Sequence, residues 1–153
     1  MLSLYAMAAS AQAEIGSNLT SNTQKVWRTP DVDTKPQLKN GLNELSAFIG
    51  NQYKFPEIKN KKIKIFVSFI VEPDGTMTDI KAFYISVKDW ITTGDQVKIE
   101  TEAEKESNAK QSEQLKNEAA RVIKAFPEKW IPAKKDGQLV RCLYNYPINF
   151  NIE

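Results

Sequence analysis

Cys142 and the aspartates Asp74 and Asp79 are the side chains whose types could carry a reaction or hold a metal. A reactive thiolate needs a basic partner, and the chain contains no histidine and no second cysteine. Cys142 falls in phase with the apolar residues of an alternating run, which predicts a buried, inert thiol. The spacing of Asp74 and Asp79 matches neither an EF-hand nor another recognisable ligand set. Turn chemistry accounts for Asp74, because Pro73 and Gly75 flank it in Glu72-Pro73-Asp74-Gly75. Without histidine the usual proton shuttle and the usual zinc ligands are missing too. No P-loop, glycine-rich phosphate motif or Ser/His/Asp set is present. The expectation is a protein that binds, with no catalytic residue, no metal and no cofactor.

The elements that must position any binding surface begin with the bulk of the chain. With 153 residues, 41% of them hydrophobic, it fits one domain with one core. Twenty-one basic against 19 acidic residues leave a net charge of +2, too little to argue for a nucleic-acid partner. Lys59, Lys61, Lys62 and Lys64 are concentrated, and read as residues that solvate a strand and blunt it against aggregation. Leu2–Ala9 is a short apolar run leading to Ala11-Gln12-Ala13, which reads as the remnant of a secretory signal over residues 1–13. It is far too short to span a bilayer, so no membrane span is expected in this chain. A polar tether follows at 14–25, and a domain at 26–153.

Within that domain Leu42, Leu45, Phe48 and Ile49 recur at helical spacing and predict a helix over about Lys39–Asn51. Ile63, Ile65, Val67, Phe69 and Val71 alternate as in a half-buried strand, closed by the Pro-Asp-Gly turn. A return strand over Thr76–Tyr84 alternates imperfectly, which predicts a bulge near Asp79. Residues 85–114 are the least regular, with an extra small hairpin or loop around Thr93-Gly94 as one reading. Thr101 and Glu104 form a capping-box pattern opening a helix whose first part, Glu102–Gln114, is solvated. Leu115, Ala119, Val122, Ile123 and Phe126 form its core stripe, and Pro127 ends it.

The last quarter of the chain is the most informative. Trp130-Ile131-Pro132 and Asp136-Gly137 turn the backbone into a terminal strand over Leu139–Ile152. Val140, Cys142, Tyr144 and Tyr146 lie on one side of it, Arg141, Leu143 and Asn145 on the other. A strand placed last in a small sheet readily becomes an edge, and an edge is an open template for an extended peptide.

In this order the elements resemble the C-terminal domain of TonB-family energy transducers, in the form found in Bacteroidetes. The resemblance covers about Val26–Glu153. It rests on Pro36…Gly41-Leu42, Phe55-Pro56, Val67–Gly75, Glu118–Ile123, Trp130-Ile131-Pro132, Gly137…Val140 and Tyr146–Phe150. It implies an α+β fold of two helices packed on a three-stranded antiparallel sheet, in the order helix-strand-strand-helix-strand. The segment at about 85–114, between the second strand and the second helix, is enlarged.

The resemblance also implies a periplasmic module that recognises outer-membrane TonB-dependent receptors through the receptor's N-terminal extended segment, the TonB box. Carried over by position, Leu139, Val140, Arg141, Leu143, Tyr144, Asn145 and Tyr146 belong to the pairing strand. Phe55 and Pro56 occupy the family's aromatic-proline motif beside the receptor contact. Backbone pairing would supply affinity, and Tyr144 and Tyr146 would select the partner segment. An open edge also permits a homodimer. Transducers of that family carry a membrane anchor and a proline-rich spacer, which these 153 residues do not display. Two other expectations follow: the C-terminal part of a true transducer whose start lies further upstream, or a structural component of an envelope assembly.

Overall fold

The computed structural model describes residues 24–89 and 99–153. Within them run β1 (Val26–Arg28), a 3₁₀ turn (Thr29–Asp31), α1 (Leu42–Gln52), β2 (Lys61–Val71), β3 (Met77–Asp89), α2 (Glu102–Ala125), β4 (Ala133–Lys135) and β5 (Gln138–Ile152). The proposed signal remnant, nearly all of the tether and the loop around Thr93-Gly94 lie outside the described residues.

The alternation in β2 sorts its side chains by face. Ile63, Ile65, Val67, Phe69 and Val71 are all buried, and they form one core with Leu45 and Ile49 of α1 and Leu115, Ala119, Val122 and Ile123 of α2. Burying each such side chain contributes roughly 1.5–3 kcal/mol before chain entropy is subtracted. Both helices cover this face. Thr101 caps α2 reciprocally with Glu104: the Thr101 hydroxyl accepts from the Glu104 N–H, and the Glu104 carboxylate accepts from the Thr101 N–H. That cap lets the polar first turns of α2 stay helical, although every buried residue of the helix lies at or beyond Leu115.

The fold is α+β with two α-helices, but the sheet differs from the expected antiparallel three. Its spatial order is β1-β5-β2-β3, with β4 joined to β5. β5 pairs antiparallel with β2 in unbroken register from Cys142↔Val71 to Ile152↔Lys61. On its other side β1 pairs parallel to it, Val26 with Arg141 through Arg28 with Leu143. β4 pairs with Gln138–Val140 across a two-residue turn, where Asp136 (φ 50°) and Gly137 (φ 77°) both adopt the left-handed conformation that such a turn requires. β4 pairs the stretch of β5 that runs beyond β2, and β1 pairs part of its opposite edge, so both short strands meet backbone groups that need partners. β3 also runs five residues past the expected Tyr84, because Ile85 and Val87 continue the apolar alternation opposite Ile65 and Ile63.

The bulge foreseen near Asp79 is present: Asp79 has φ 51° and the β2–β3 register shifts between Ser68 and Ile70. A second shift, between Phe66 and Val67, leaves Phe83 as an extra residue of β3. The Pro-Asp-Gly turn docks on the tryptophan corner. The Trp130 N–H donates to the Gly75 carbonyl at 2.9 Å, and a Cβ on Gly75 would lie 2.3 Å from the Trp130 carbonyl oxygen. Gly75 also sits at φ +84°, so two constraints act on one position. Gly75→Ala should therefore cost at least about 2 kcal/mol of stability. Urea unfolding measures it, and an unchanged midpoint would show that the Trp130 corner moves aside freely.

Candidate functional site

Side chains and backbone of β5 answer different questions. Its even-numbered residues face the helices: Cys142 and Ile148 are buried, and Tyr146 is 8% exposed. Tyr144 stacks on Phe69 (ring centroids 5.6 Å apart) and meets Trp130 at 4.9 Å. Burial raises the pKa of the Cys142 thiol, in keeping with the inert thiol expected. Tyr146 is therefore a core residue and Tyr144 is half-buried against the core, so both rings serve packing first.

The backbone edge expected at Leu139–Tyr146 is also largely taken. Leu139 and Val140 pair with Lys134 and Ala133 of β4. Arg141 and Leu143 pair with Val26 and Arg28 of β1. The Arg141 side chain is committed as well. Its guanidinium makes a forked pair with Glu72 (2.8 and 2.9 Å) and donates to the Gln24 carbonyl at 3.0 Å. Of the residues expected in the pairing strand, Tyr144, Asn145 and Tyr146 lie on backbone without a strand beyond it, and only Asn145 has an exposed side chain.

The open edge lies further along. From Tyr144 to Ile152 β5 pairs with β2 on one side, and no described strand pairs on the other. Pro147 sits within this stretch, opposite Phe66. A proline avoids losing a ladder bond when its nitrogen faces away from the neighbouring strand. By the two-residue period of a strand, the N–H groups of Asn145, Asn149 and Asn151 then point to the same open side.

A cleft of about 350 Å³ runs along this edge, between Ser46, Ile49 and Gly50 of α1 and Tyr146–Phe150 of β5. Five consecutive strand residues line it, so it follows the backbone and not one face. At the far end Phe55 meets Phe150 edge-on at 4.7 Å, with Tyr53 packed on both rings. Phe55 remains 42% exposed, whereas Tyr53 is buried and donates from its hydroxyl to the Leu115 carbonyl at 2.6 Å. Burial, then the nearby negative charge of Glu118, pushes the Tyr53 pKa well up and keeps it a neutral donor.

The structure thus brings Phe55 and the adjacent Pro56 to the C-terminal half of β5 and away from Leu139–Leu143. Ser46, Ile49, Gly50, Asn149 and Phe150 line the cleft without having been expected among the binding residues. Pro147 was the available signal, since a proline inside an alternating run marks an open edge. The sheet's other outer strand, β3, is interrupted by its two bulges, which blunt it as a template. Among the described residues no group of His, Cys, Asp or Glu could hold a metal ion, and no helix is long and apolar enough to cross a membrane. No family model, curated protein or solved structure matches the chain.

The Glu72–Arg141 pair generates a pH prediction. Partial burial works to raise the Glu72 pKa, but hydrogen bonds from Arg141 and Thr78, with the charge of Arg141, outweigh it and leave the pKa lowered. A lowered folded pKa means stability present above the ordinary value of 4.5 and lost as pH falls through the folded value. Glu72→Gln should lose roughly 1–2 kcal/mol at neutral pH and converge on the unsubstituted protein in acid. Unfolding midpoints across the pH range test this; a gap that persists undiminished into strong acid would assign the effect to packing.

Proposed function

We propose that this protein is a binding module that captures an extended peptide by strand addition to β5. The captured strand lies along Tyr144–Ile152, in the cleft beside α1. The observation that carries this reading is the regular edge of β5, paired with no described strand, that lines that cleft. Main-chain bonds to Asn145, Asn149 and Asn151 supply affinity, and the Pro147 carbonyl can still accept. Phe55 and Phe150 offer an apolar stop at one end, where a side chain of the captured segment packs. The resemblance to TonB C-terminal domains supplies the partner class: the N-terminal extended segment of an outer-membrane receptor, met in the periplasm. Under this reading the chain has no catalytic role, and the pairing segment shifts from Leu139–Tyr146 to Tyr144–Ile152.

The test uses the full chain and synthetic peptides from the N-termini of TonB-dependent receptors, with calorimetry for affinity and sedimentation for oligomeric state. Asn149→Pro removes an outward donor in the manner that Pro147 already tolerates, and should weaken binding by at least about tenfold. Phe55→Ala should weaken it less. The unfolding midpoint reports whether each variant is still folded. Unchanged affinity in both Asn145→Pro and Asn149→Pro would falsify strand addition at this edge. A dimer dissociated by the same prolines, with no peptide bound, would reassign the edge to a second copy of the chain.

A further inference from the structure

The face of the sheet turned away from the helices carries a second surface. Its side chains are the alternates of the core set, so cross-strand partners share it: Asn149, Lys64 and Ser86 in one row, Pro147, Phe66 and Tyr84 in the next. The bulge in β3 adds an aromatic residue to that face. Because Phe83 is the unpaired extra residue, it turns to the same side as Tyr84, and both rings pack against Phe66. The centroid distances are 6.1 Å to Phe83, nearly parallel at 24°, and 5.7 Å to Tyr84, tilted at 50°. Phe83 is 55% exposed and Tyr84 48%. A large aromatic exposed once is ordinary; three packed together, with Phe83 and Tyr84 about half exposed, mark a binding surface.

Lys64, Phe66, Phe83, Tyr84, Ser86 and Lys88 enclose an open depression of about 520 Å³, within the size range of small-ligand sites. Its charge has one sign. Lys64 and Lys88 line it and no carboxylate does. The acids of β3 are engaged elsewhere, Asp79 with Lys81 and Asp89 with Lys61. The Lys64 ammonium lies 5.1 Å from the Phe66 ring centre, so cation and ring present themselves together.

We infer that this depression binds an anionic saccharide, with a sugar ring laid against the Phe66–Phe83–Tyr84 ring cluster and its carboxylate or sulfate held by Lys64 and Lys88. Charge complementarity selects an anion. The rings select a ligand with an apolar face, which the C–H side of a pyranose supplies. Ser86 in the depression, with Asn149 in the same row, offers hydroxyl and amide groups suited to sugar hydroxyls.

Other polyanions fit less well. A single-stranded nucleic acid is gripped by rings spaced one per base along a groove, whereas these rings touch one another. An acidic peptide captured through its backbone needs a regular strand edge, and the bulge at Phe83 interrupts β3 beside the depression. A second copy would set lysine against lysine.

The test titrates the full chain with oligogalacturonate and with dextran sulfate, using neutral dextran, poly(dT) and polyglutamate as comparators. Both anionic saccharides should bind, neutral dextran should not, and the two other polyanions should bind more weakly. Phe83→Ala, Tyr84→Ala and the double variant Lys64→Gln/Lys88→Gln should each weaken saccharide binding by about tenfold or more. Phe83→Trp should retain binding while Phe83→Leu loses it, which separates ring stacking from mere apolar area. These side chains are exposed, so unfolding midpoints should stay unchanged. Absence of saccharide binding overturns the assignment. So does equal binding of polyglutamate or poly(dT), or affinity indifferent to loss of the rings, since either outcome describes a bare basic patch.

Discussion

The sheet is organised around β5, which has two edges and outruns the strand beside it. Backbone N–H and C=O groups shielded from water need partners, and β2 satisfies those of Cys142–Ile152 on one side only. At the start of β5 the deficit is met by β4 and β1, which bring the tryptophan corner and the N-terminal segment onto the sheet. The extended stretch around Thr34–Gln37 is held in turn by mutual bonds with Lys134 and Ile131. At the end of β5 no described strand arrives, and the deficit stays open beside α1. The candidate site is thus the remainder of the same pairing requirement that builds the rest of the sheet.

The start of β5 is also where polar interactions concentrate. Arg141 ties the β2–β3 turn, through Glu72, to the entering chain at Gln24. Asp33 accepts from the Asp136 N–H at 2.8 Å, which lowers its pKa and pins the β4–β5 turn. The Gly75–Trp130 contact closes the same region from the other face. Among the described residues none accepts from the buried indole N–H of Trp130, whose ring packs against Phe69 and Tyr144. Three anchors hold the start of β5, while the outer backbone edge of its other half is paired with no described strand.

The sequence discloses faces better than it discloses edges. Side-chain alternation in Ile63–Val71 and Cys142–Ile148 states directly which residues enter the core, and the capping box and the Pro-Asp-Gly turn are local enough to read alone. A strand's hydrogen-bonding direction lies at right angles to its side chains, so the same alternation holds for a central strand, a covered edge and an open one. Val26–Arg28 is too short to show a period, and nothing in Arg141 reveals that Glu72, 69 residues away, will engage it. Hence the terminal strand was legible and its free half was not. Pro147 is the exception, because a missing donor is a property of the edge itself. Phe83 eluded the reading for a related reason: a bulge displaces the two-residue period, so consecutive aromatics that ought to point apart point together.

The edge and the open face meet at the same residues. Asn145, Pro147, Asn149 and Asn151 present backbone to the open side of β5 while their side chains stand on the face that carries Lys64 and Phe66. A strand added along Tyr144–Ile152 would therefore extend that face by one more column of side chains, directly beside the asparagines. Its contribution there depends on its own alternation: residues of one parity enter the cleft against α1, and those of the other join the polar, lysine-bearing surface. A captured segment with acidic residues at alternate positions would complement that surface as well as the edge. The same segment shifted by one residue would turn those acids into the cleft beside Ile49 and Phe150 and lose both advantages. The open face thereby gives the edge a means of choosing register, which backbone pairing alone cannot supply.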